Sequence, residues 1–423
     1  MVGFMDLATK AILDTTKKIA DPDFKNKHTK KNDFLRNRKM NFEKLMAFLL
    51  QRNTGSYDAK LLQLMDKLKE DMPECITKQA ISKARQKIEP DAFCELFKIT
   101  VAHFMKSENC KDKWKQYNVY AVDGTDVDLP SNTAVLDKFG FAKSRFGTKT
   151  AKASASLLYD VKNDVILEAV IQPYKTSERR MAMEMLKSFQ SRYSMDNTVV
   201  IFDRGYPSYE LMQYLISNHI LFLMRVKKEC FKLIDKDNND ITVIRRVKGK
   251  DLKLRLLNVM LSSGECEYLI TNIHDSSLCP DDFYELYFKR WGIESKYREL
   301  KNRYKLEEFS GSSITSIIQD FFINLFLSNI CAFIKRTADL QIQKEMKKRN
   351  RTKIYQSNRS VIVTITVQSI MELLLYPGRT DEKIQYIVEL AMKKRSQIRP
   401  NRNYERNKNV NRRKHWMNNK SCF

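Results

Sequence analysis

The chain has 423 residues and carries 76 Lys and Arg against 51 Asp and Glu, a formal net charge of +25. Its length allows a large core with two or three structural units, and its hydrophobic content of 43% excludes a wholly disordered chain. The positive charge predicts a polyanionic partner, either a nucleic acid or an anionic membrane surface.

Cysteine and histidine usage bears on metals and on the cellular compartment. The eight cysteines include no CxxC pair and the five histidines are scattered, which argues against a zinc site and leaves oxygen ligands for any metal. The first twenty residues lack the uninterrupted apolar core of a signal peptide. Scattered cysteines without such a signal predict reduced thiols in a cytoplasm.

Residues 1–115 show helical periodicity and many cations, which predicts a helical DNA-binding region. Within it, residues 76–88 begin with Thr77 as a helix cap and carry four cations around a small apolar stripe. Two interpretations of this segment remain open. It is either the second helix of a DNA-reading pair or an ordinary amphipathic helix.

From residue 116 onward, strands alternate with helices. Residues 118–123 and 198–203 are apolar runs, and each ends in an acid, Asp123 and Asp203. An α/β sheet of this kind has its site at the edge where the strands end. A β-rich insertion at about residues 227–278 follows.

A single helix is predicted over residues 287–301, and it carries a third acid. At about 100° per residue, Tyr287, Arg290, Glu294 and Lys301 fall within an arc of about 60°. One acid that could hold a metal therefore lies among three side chains that could hold phosphate. The alternative is a solvated, salt-bridged surface helix.

The remainder is predicted as a C-terminal helical region over residues 311–395 and a basic flexible tail over residues 396–423. We expect the tail to become ordered on nucleic acid. Residues 314–334 are strongly apolar but contain two Asn, a Gln and an Asp. They predict a helix buried in protein, and no membrane partner.

Asp123, Asp203 and Glu294 form a coherent set of carboxylates. Three carboxylates in one site repel one another and resist ionising together, and divalent cations resolve that conflict. Mg²⁺ prefers oxygen ligands, and two such ions about 3.5–4 Å apart support in-line displacement at phosphorus. Asp126 and Asp128 are alternatives to Asp123, but Asp126 is out of register and Asp128 lies where the strand is expected to end.

Three motifs occur in a fixed order along the chain: Asp123-Gly124-Thr125, Asp203-Arg204-Gly205-Tyr206 and Tyr287-x2-Arg290-x3-Glu294-x6-Lys301. Together they resemble the DDE transposases of bacterial insertion sequences, in the insertion-sequence-four family with its Y-R-E-K signature. The resemblance covers residues 118–302 and includes the β insertion.

The resemblance implies an α/β fold with a ribonuclease-H-like catalytic core at residues 116–310. This core has a β-strand insertion and is flanked by helical N-terminal and C-terminal regions. It also implies Asp123, Asp203 and Glu294 as the ligands of two Mg²⁺ ions, for which Mn²⁺ can substitute.

For activity, the resemblance implies hydrolysis at the element end, which frees a 3′-hydroxyl that then attacks target DNA. Tyr287, Arg290 and Lys301 would contact phosphates near that end. Two ends have to be brought together, so a homodimer on double-stranded DNA is expected. Some relatives stack an extruded base on a Trp of the β insertion; this insertion has no Trp, and Tyr268 or Phe231 is the alternative.

A basic loop lies between the first and second acids. Lys143, Arg145 and Lys149 are three of its cations, and they suit backbone phosphates, which contribute affinity but little sequence information. The alternative is a solvated basic loop without a ligand.

Two rival functions remain open. One is a ribonuclease-H-like DNA nuclease that cuts without strand transfer, although it would not need the N-terminal region, the β insertion or the Y-R-E-K face. The other is a non-catalytic DNA-binding protein derived from a transposase, although the intact set of acids argues against it.

Overall fold

The structure is a computed structural model that describes residues 4–35, 40–52, 57–68, 76–107, 111–227, 239–247, 249–260, 265–351 and 353–399. Its described residues form two compact units. One unit combines those of Met1–His103 with those of Phe322–Phe423, and the other spans Phe104–Phe321. Most of the predicted flexible tail, from residue 400 onward, lies outside the described residues.

The helices carry these bounds in chain order: α1 (Phe4–Ala20), α2 (Pro22–His28), α3 (Phe42–Leu50), α4 (Tyr57–Leu68), α5 (Lys78–Arg85), α6 (Asp91–Met105), α7 (Thr133–Phe139), α8 (Glu178–Gln190), α9 (Tyr209–Ser217), α10 (Pro280–Phe288), α11 (Trp291–Asn302), α12 (Ile314–Lys348), α13 (Arg359–Leu375) and α14 (Thr380–Lys393). The predicted helices after residue 311 are confirmed, and α12 is longer than expected.

The strands carry these bounds: β1 (Asn118–Asp128), β2 (Phe141–Lys143), β3 (Lys149–Asp160), β4 (Val165–Pro173), β5 (Thr198–Phe202), β6 (Leu221–Val226), β7 (Asp240–Val247), β8 (Lys250–Met260), β9 (Cys266–Thr271), β10 (Tyr355–Gln356) and β11 (Ser396–Gln397). The first nine belong to one sheet, and β10 pairs with β11 in a separate small one.

Five strands form the centre of the large sheet in the order β4-β3-β1-β5-β6. The pairs β4–β3 and β3–β1 are antiparallel, whereas β1–β5 and β5–β6 are parallel. Parallel neighbours need a crossover, and α8 and α9 lie in the connections to β5 and β6. The predicted strand at residues 118–123 is confirmed and is longer, because β1 stays paired with β3 as far as Asp128.

The β insertion continues the same sheet. Strand β9 pairs with β6, β8 with β9, and β7 with β8, all antiparallel. The predicted β-rich insertion is therefore confirmed in its described part. Residues 228–238, which include Phe231, lie outside the described residues.

Side-chain alternation along the strands separates the two faces of the sheet. Val119 and Ile201 lie in one buried cluster with Phe283 of α10, so α10 covers their face. Tyr120 has the opposite orientation and meets Phe189 of α8 edge to face, with ring centroids 6.0 Å apart. Helices on both faces explain why β5 is buried along its whole length.

The apolar stretch predicted as a buried helix lies in α12. Among the helices of the described chain, it is the one with the length and composition of a membrane span, at a mean hydropathy of 1.7. However, 94% of its most apolar window is buried inside the protein. Helix α12 is thus a core helix, in agreement with the prediction.

The segment at residues 76–88 contains α5. The Thr77 hydroxyl accepts a hydrogen bond from the Ala80 N–H at 3.2 Å, so the predicted cap is confirmed. Arg85 is buried, whereas Lys78 and Lys83 are exposed. The fourth cation, Lys87, pairs with Asp33 at 2.6 Å. One of the four cations therefore belongs to the interior of this unit, one is held in an ion pair, and Lys78 and Lys83 are exposed to a partner.

Candidate active site at the sheet edge

Asp123 and Asp203 come from neighbouring parallel strands. The register pairs Val122 with Phe202, so the next residue along each chain is one of the two acids. Because side chains alternate, both acids share the orientation of Ala121 and Ile201, toward the face that α10 covers. The buried strands thus deliver two carboxylates side by side where β5 ends.

The backbone around the first two acids fixes their position. The Oδ1 atom of each carboxylate accepts a hydrogen bond from the next backbone N–H, at 3.0 Å for Asp123 and 2.7 Å for Asp203. The carbonyl of Asp123 accepts two more hydrogen bonds, from Ser156 Oγ at 2.9 Å and from Tyr297 Oη at 2.8 Å. Strand β3 and helix α11 therefore both hold β1 at this point.

Tyr287 is buried at 3% exposure, and its hydroxyl donates a hydrogen bond to Asp203 Oδ1 at 3.1 Å. Burial raises the pKa of Tyr287 far above its usual range. The phenol consequently remains a neutral donor at physiological pH, and it holds the second acid against α10.

The prediction of one continuous helix over residues 287–301 was wrong. Helix α10 ends at Phe288 and α11 begins at Trp291. Between them, the N–H groups of Arg290 and Gly292 bond to carbonyls three residues earlier, a tighter pattern than in an α-helix. Glycine is also a weak helix former. Tyr287 therefore reaches its partner from α10, Arg290 from the turn between the helices, and Glu294 and Lys301 from α11.

Arg290 links the first and third acids. Its side chain is buried, with Nη2 2.8 Å from Glu294 Oε1 and Nη1 3.7 Å from Asp123 Oδ2. Glu294 is in the first turn of α11. The Arg290 guanidinium also lies over the Tyr287 ring, 5.7 Å from its centroid, so Asp123, Asp203 and Glu294, predicted as a set, are connected through these two side chains.

Lys301 lies farther along α11 and contacts the end of β1. Its Nζ donates to the carbonyl of Asp126 at 2.6 Å and lies 3.0 Å from the Glu307 carboxylate. Of the two alternatives to Asp123, Asp126 is exposed and Asp128 pairs with Lys152 at 2.7 Å. Neither replaces Asp123 as the neighbour of Arg290.

Negative charge accumulates around Asp123. Burial raises the pKa of the Asp123 carboxyl to about 6, and Glu178 and Asp203 act in the same direction. Arg290 and the hydrogen bond from the Gly124 N–H oppose this rise. Desolvation is therefore the main cause of the raised pKa, and the like charges of Glu178 and Asp203 add to it.

The acids fit a hard divalent cation by their chemistry. Among the residues that the structure describes, no three His, Cys, Asp or Glu side chains are arranged as a ready metal-binding group. However, Asp123, Asp203 and Glu294 offer oxygen atoms, which Mg²⁺ prefers, and the like charge of Asp203 adds to the raised pKa of Asp123. Arg290 supplies the positive charge between two of them, and its buried Nε lacks a hydrogen-bond partner within the described chain.

Glu178 is a fourth carboxylate that the sequence reasoning missed. It is the first residue of α8, and its Oε1 would lie 3.1 Å from a Cβ added to Gly124. Its Oε2 would lie 3.6 Å from a Cβ added to Gly205. Acids are common in the first turn of helices because of the helix dipole, so the sequence pattern does not distinguish this one.

The predicted basic loop forms the tip of the β2–β3 hairpin. Lys143 pairs with Lys149 in the register, Gly147 has a φ of +80°, and Phe146 is 97% exposed. Asp123 pairs with Leu157 on β3, eight residues after Lys149, so the tip lies about 26 Å along the strand from the acids. The structure therefore does not bring Lys143, Arg145 or Lys149 to the carboxylates.

A cavity of about 260 Å³ lies beside the turn that follows β5. Its lining includes Arg204, Arg225, Lys227 and Tyr268, the aromatic residue predicted as one alternative base receptor. Arg225 also pairs with Glu267 at 3.0 Å. The cavity thus combines cations and an aromatic ring next to the turn that carries Asp203.

The strand order and directions of the central sheet, together with acids at the ends of adjacent strands, define the ribonuclease-H-like class of α/β proteins. A family model described as the transposase DDE domain matches residues 114–330, just over half of the chain. The chain belongs to this DDE transposase family. This membership confirms the resemblance to DDE transposases that the sequence motifs indicated, and it agrees with the α/β fold class.

Two curated relatives are from Escherichia coli (strain K12). The chain is 25% identical over 139 residues to the putative transposase InsZ, covering 32% of this chain and 45% of that protein. It is 23% identical over 244 residues to the transposase InsG for insertion sequence element IS4, covering 53% of each. The chain spans about half the length of the curated relatives that it matches.

Among solved structures, the chain is similar to a piggyBac transposase in a cryo-EM structure of its synaptic complex with hairpin DNA. The match has a TM-score of 0.46 and 10% identity, and it covers 92% of this chain and 85% of the other.

Proposed function

We propose that the protein is an active transposase that cleaves DNA at the ends of an insertion sequence and transfers the freed 3′-hydroxyl into target DNA. The observation that supports this most is the Arg290 guanidinium between Asp123 and Glu294, with Tyr287 bonded to Asp203. In a member of the DDE transposase family, this links three acids from separate segments to one phosphoryl-transfer site.

The proposed metal ligands are Asp123, Asp203 and Glu294. Two Mg²⁺ ions, or Mn²⁺ in their place, would supply activation of the attacking oxygen and stabilisation of the leaving oxygen at phosphorus. The protein contributes the placement of these carboxylates. Strand register sets the first two acids side by side, and Arg290 sets the third.

Two side chains position the acids. Tyr287 donates to one oxygen of Asp203 and so leaves the other oxygen available for a ligand. Arg290 limits the repulsion between Asp123 and Glu294 and presents a guanidinium suited to a phosphate at the same place. We propose that Arg290 and Tyr287 also border the phosphate that is cleaved.

Other cations are proposed to bind the DNA backbone. Lys301 lies at the end of β1, on the side of the sheet edge where ligands of α/β folds bind. Lys143, Arg145 and Lys149 lie on the projecting hairpin and are exposed, so they can follow a duplex away from the site. The net charge of +25 fits such a surface.

The proposed partners are double-stranded DNA, both element ends and target, and a second copy of the chain. Joining two ends requires two sites, which a homodimer supplies. The proposed location is the bacterial cytoplasm, in association with the nucleoid. The proposed domains remain residues 1–115 for DNA binding, 116–310 for catalysis, 311–395 for the C-terminal helices and 396–423 for the basic tail.

The test uses the full-length protein and a labelled DNA end taken from the inverted repeats that flank its coding region. The end is incubated with Mg²⁺ and an unlabelled plasmid target. Labelled plasmid supports the proposal. Cleavage without joined product would identify a nuclease without strand transfer, and retardation alone would identify a DNA-binding protein without catalysis.

A further inference from the structure

We propose that Glu178 is a fourth metal ligand of this site, acting with Asp123 and Asp203. This inference rests on the proposed function, because it assigns one more carboxylate to the same cations. It extends the three-acid set to a four-carboxylate site that includes a residue from α8.

The first argument is the position of the Glu178 carboxylate. It lies against two glycines, and each follows one of the other acids closely: Gly124 comes after Asp123, and Gly205 comes two residues after Asp203. A Cβ at Gly124 would meet Oε1 at 3.1 Å, closer than ordinary contact, and a Cβ at Gly205 would meet Oε2 at 3.6 Å. The absence of side chains at these two positions makes room for one carboxylate next to both strand ends.

The second argument is that the Glu178 carboxylate has no direct ion-pair or hydrogen-bond partner in the described chain, although the charge of the adjacent Arg179 lowers its pKa. The adjacent Arg179 is engaged elsewhere, because its Nε and Nη2 donate to the Gly205 carbonyl at 3.1 and 2.9 Å. These bonds also tie the start of α8 to the turn that follows Asp203.

The third argument is the electrostatic environment. Glu178 is an exposed residue, but partial burial of its carboxylate raises its pKa, the charges of Asp203 and Asp126 raise it further, and the charge of Arg179 lowers it. The Tyr206 hydroxyl nearby is buried at 1% exposure and lacks a hydrogen-bond partner in the described residues. Burial raises the pKa of Tyr206 well above its usual range, and the charges of Glu178 and Asp123 add to the rise. Unbalanced negative charge beside an unpartnered buried hydroxyl is what a bound cation would relieve.

A helix-terminal role is the ordinary alternative for Glu178. An acid in the first turn stabilises the helix dipole without any ligand. However, the charge of Asp203 raises the pKa of Glu178 and so opposes the ionised form that stabilises the helix dipole. The two roles differ in what they predict for cation affinity, which makes them separable.

The test measures Mn²⁺ binding to the full-length protein on its DNA end, with free Mn²⁺ followed by electron paramagnetic resonance. Glu178→Gln should raise the Mn²⁺ dissociation constant about tenfold, and the Mg²⁺ concentration for half-maximal cleavage should rise in parallel. Glu184→Gln is the matched control, because Glu184 lies on the same helix and pairs at the surface with Arg180. It should bind Mn²⁺ like the wild type.

Three other results would overturn the inference. One is wild-type Mn²⁺ affinity in Glu178→Gln while Asp203→Asn loses affinity, which leaves the proposed function intact. The second is a lower melting temperature in Glu178→Gln without any change in Mn²⁺ affinity, which would assign Glu178 to the helix terminus. The third is a wild-type protein that binds no Mn²⁺, which would remove the proposed function and the inference together.

Discussion

Tyr287 donates a hydrogen bond to Asp203, a residue 84 positions earlier in the chain, over a distance of 3.1 Å. This contact joins α10 to the end of β5, and it occurs next to the Arg290 contacts with Asp123 and Glu294. The motif that follows the β insertion thus meets both strand-end acids. Its tyrosine and arginine position the acids in addition to any phosphate contact.

Tyr287→Phe should slow end cleavage about ten- to a hundredfold, because a hydrogen bond to a charged group contributes about 1.5–3 kcal/mol. The ring stays in place, so the fold and the affinity for the DNA end should change little. Single-turnover cleavage and gel retardation on the same DNA end measure the two effects. An unchanged cleavage rate would show that the hydrogen bond from Tyr287 does not contribute to the positioning of Asp203.

Glu294→Gln should lower the cleavage rate by at least about a thousandfold, because an amide is a poor ligand for Mg²⁺ compared with a carboxylate. DNA binding should remain nearly intact, since the substitution is isosteric and removes negative charge. Cleavage and retardation assays on the same preparation test this. A parallel loss of cleavage and binding would count against Glu294 as a metal ligand.

Arg145→Ala should weaken DNA binding and reduce the slope of log K against log salt by about one, as expected for one lost phosphate contact. The loss should be equal on the element end and on unrelated DNA, because backbone contacts carry no sequence information. Titrations at several salt concentrations measure it. A salt slope identical to that of the wild type would remove Arg145 from the DNA interface.

Lys296→Ala should lower the free energy of unfolding by about 3–5 kcal/mol. The Lys296 side chain is 1% exposed and pairs with Asp164 at 2.6 Å and Glu299 at 3.2 Å, so its removal leaves buried negative charge unbalanced. Lys289→Ala is the control, because its pair with the exposed Glu285 should contribute less than about 1 kcal/mol. Urea unfolding curves of the two variants compare them, and equal midpoints would contradict the argument.

Asp160 should make stability fall as the pH rises from about 4 to about 7. Burial raises the pKa of Asp160 to about 7 from a usual value of 3.8, so the folded state holds this proton where the unfolded chain has lost it. Unfolding then releases a proton, and higher pH favours it. Asp160→Asn keeps an acceptor for the Lys162 and Asn163 N–H groups and should flatten this dependence. The measurement is the denaturation midpoint of the wild type and of Asp160→Asn across this pH range. The same pH dependence in both proteins would refute a raised pKa for Asp160.

Local patterns were sufficient for most of the architecture. The apolar run before Asp203 predicted β5, and the alternation in the insertion predicted β7 to β9, because burial on one or both faces imposes these periodicities. The boundary at Phe288 was not predictable in this way. The helical periodicity of the side chains continues through Arg290 and Gly292, so the sequence pattern shows no break. The backbone N–H groups of these two residues nevertheless bond to carbonyls three residues earlier, which interrupts the α-helix.

The chain sequence by itself determined where acids follow buried strands, which residues share the Y-R-E-K spacing, and that the surface attracts polyanions. These features depend on residues close together in the chain. The tertiary structure alone decided that Arg290 is buried between Asp123 and Glu294, and that Glu178 of α8 reaches the same edge. Charged side chains from distant segments come into contact only when the strand order and register are fixed. The strand order and register depend in turn on the packing of the whole sheet.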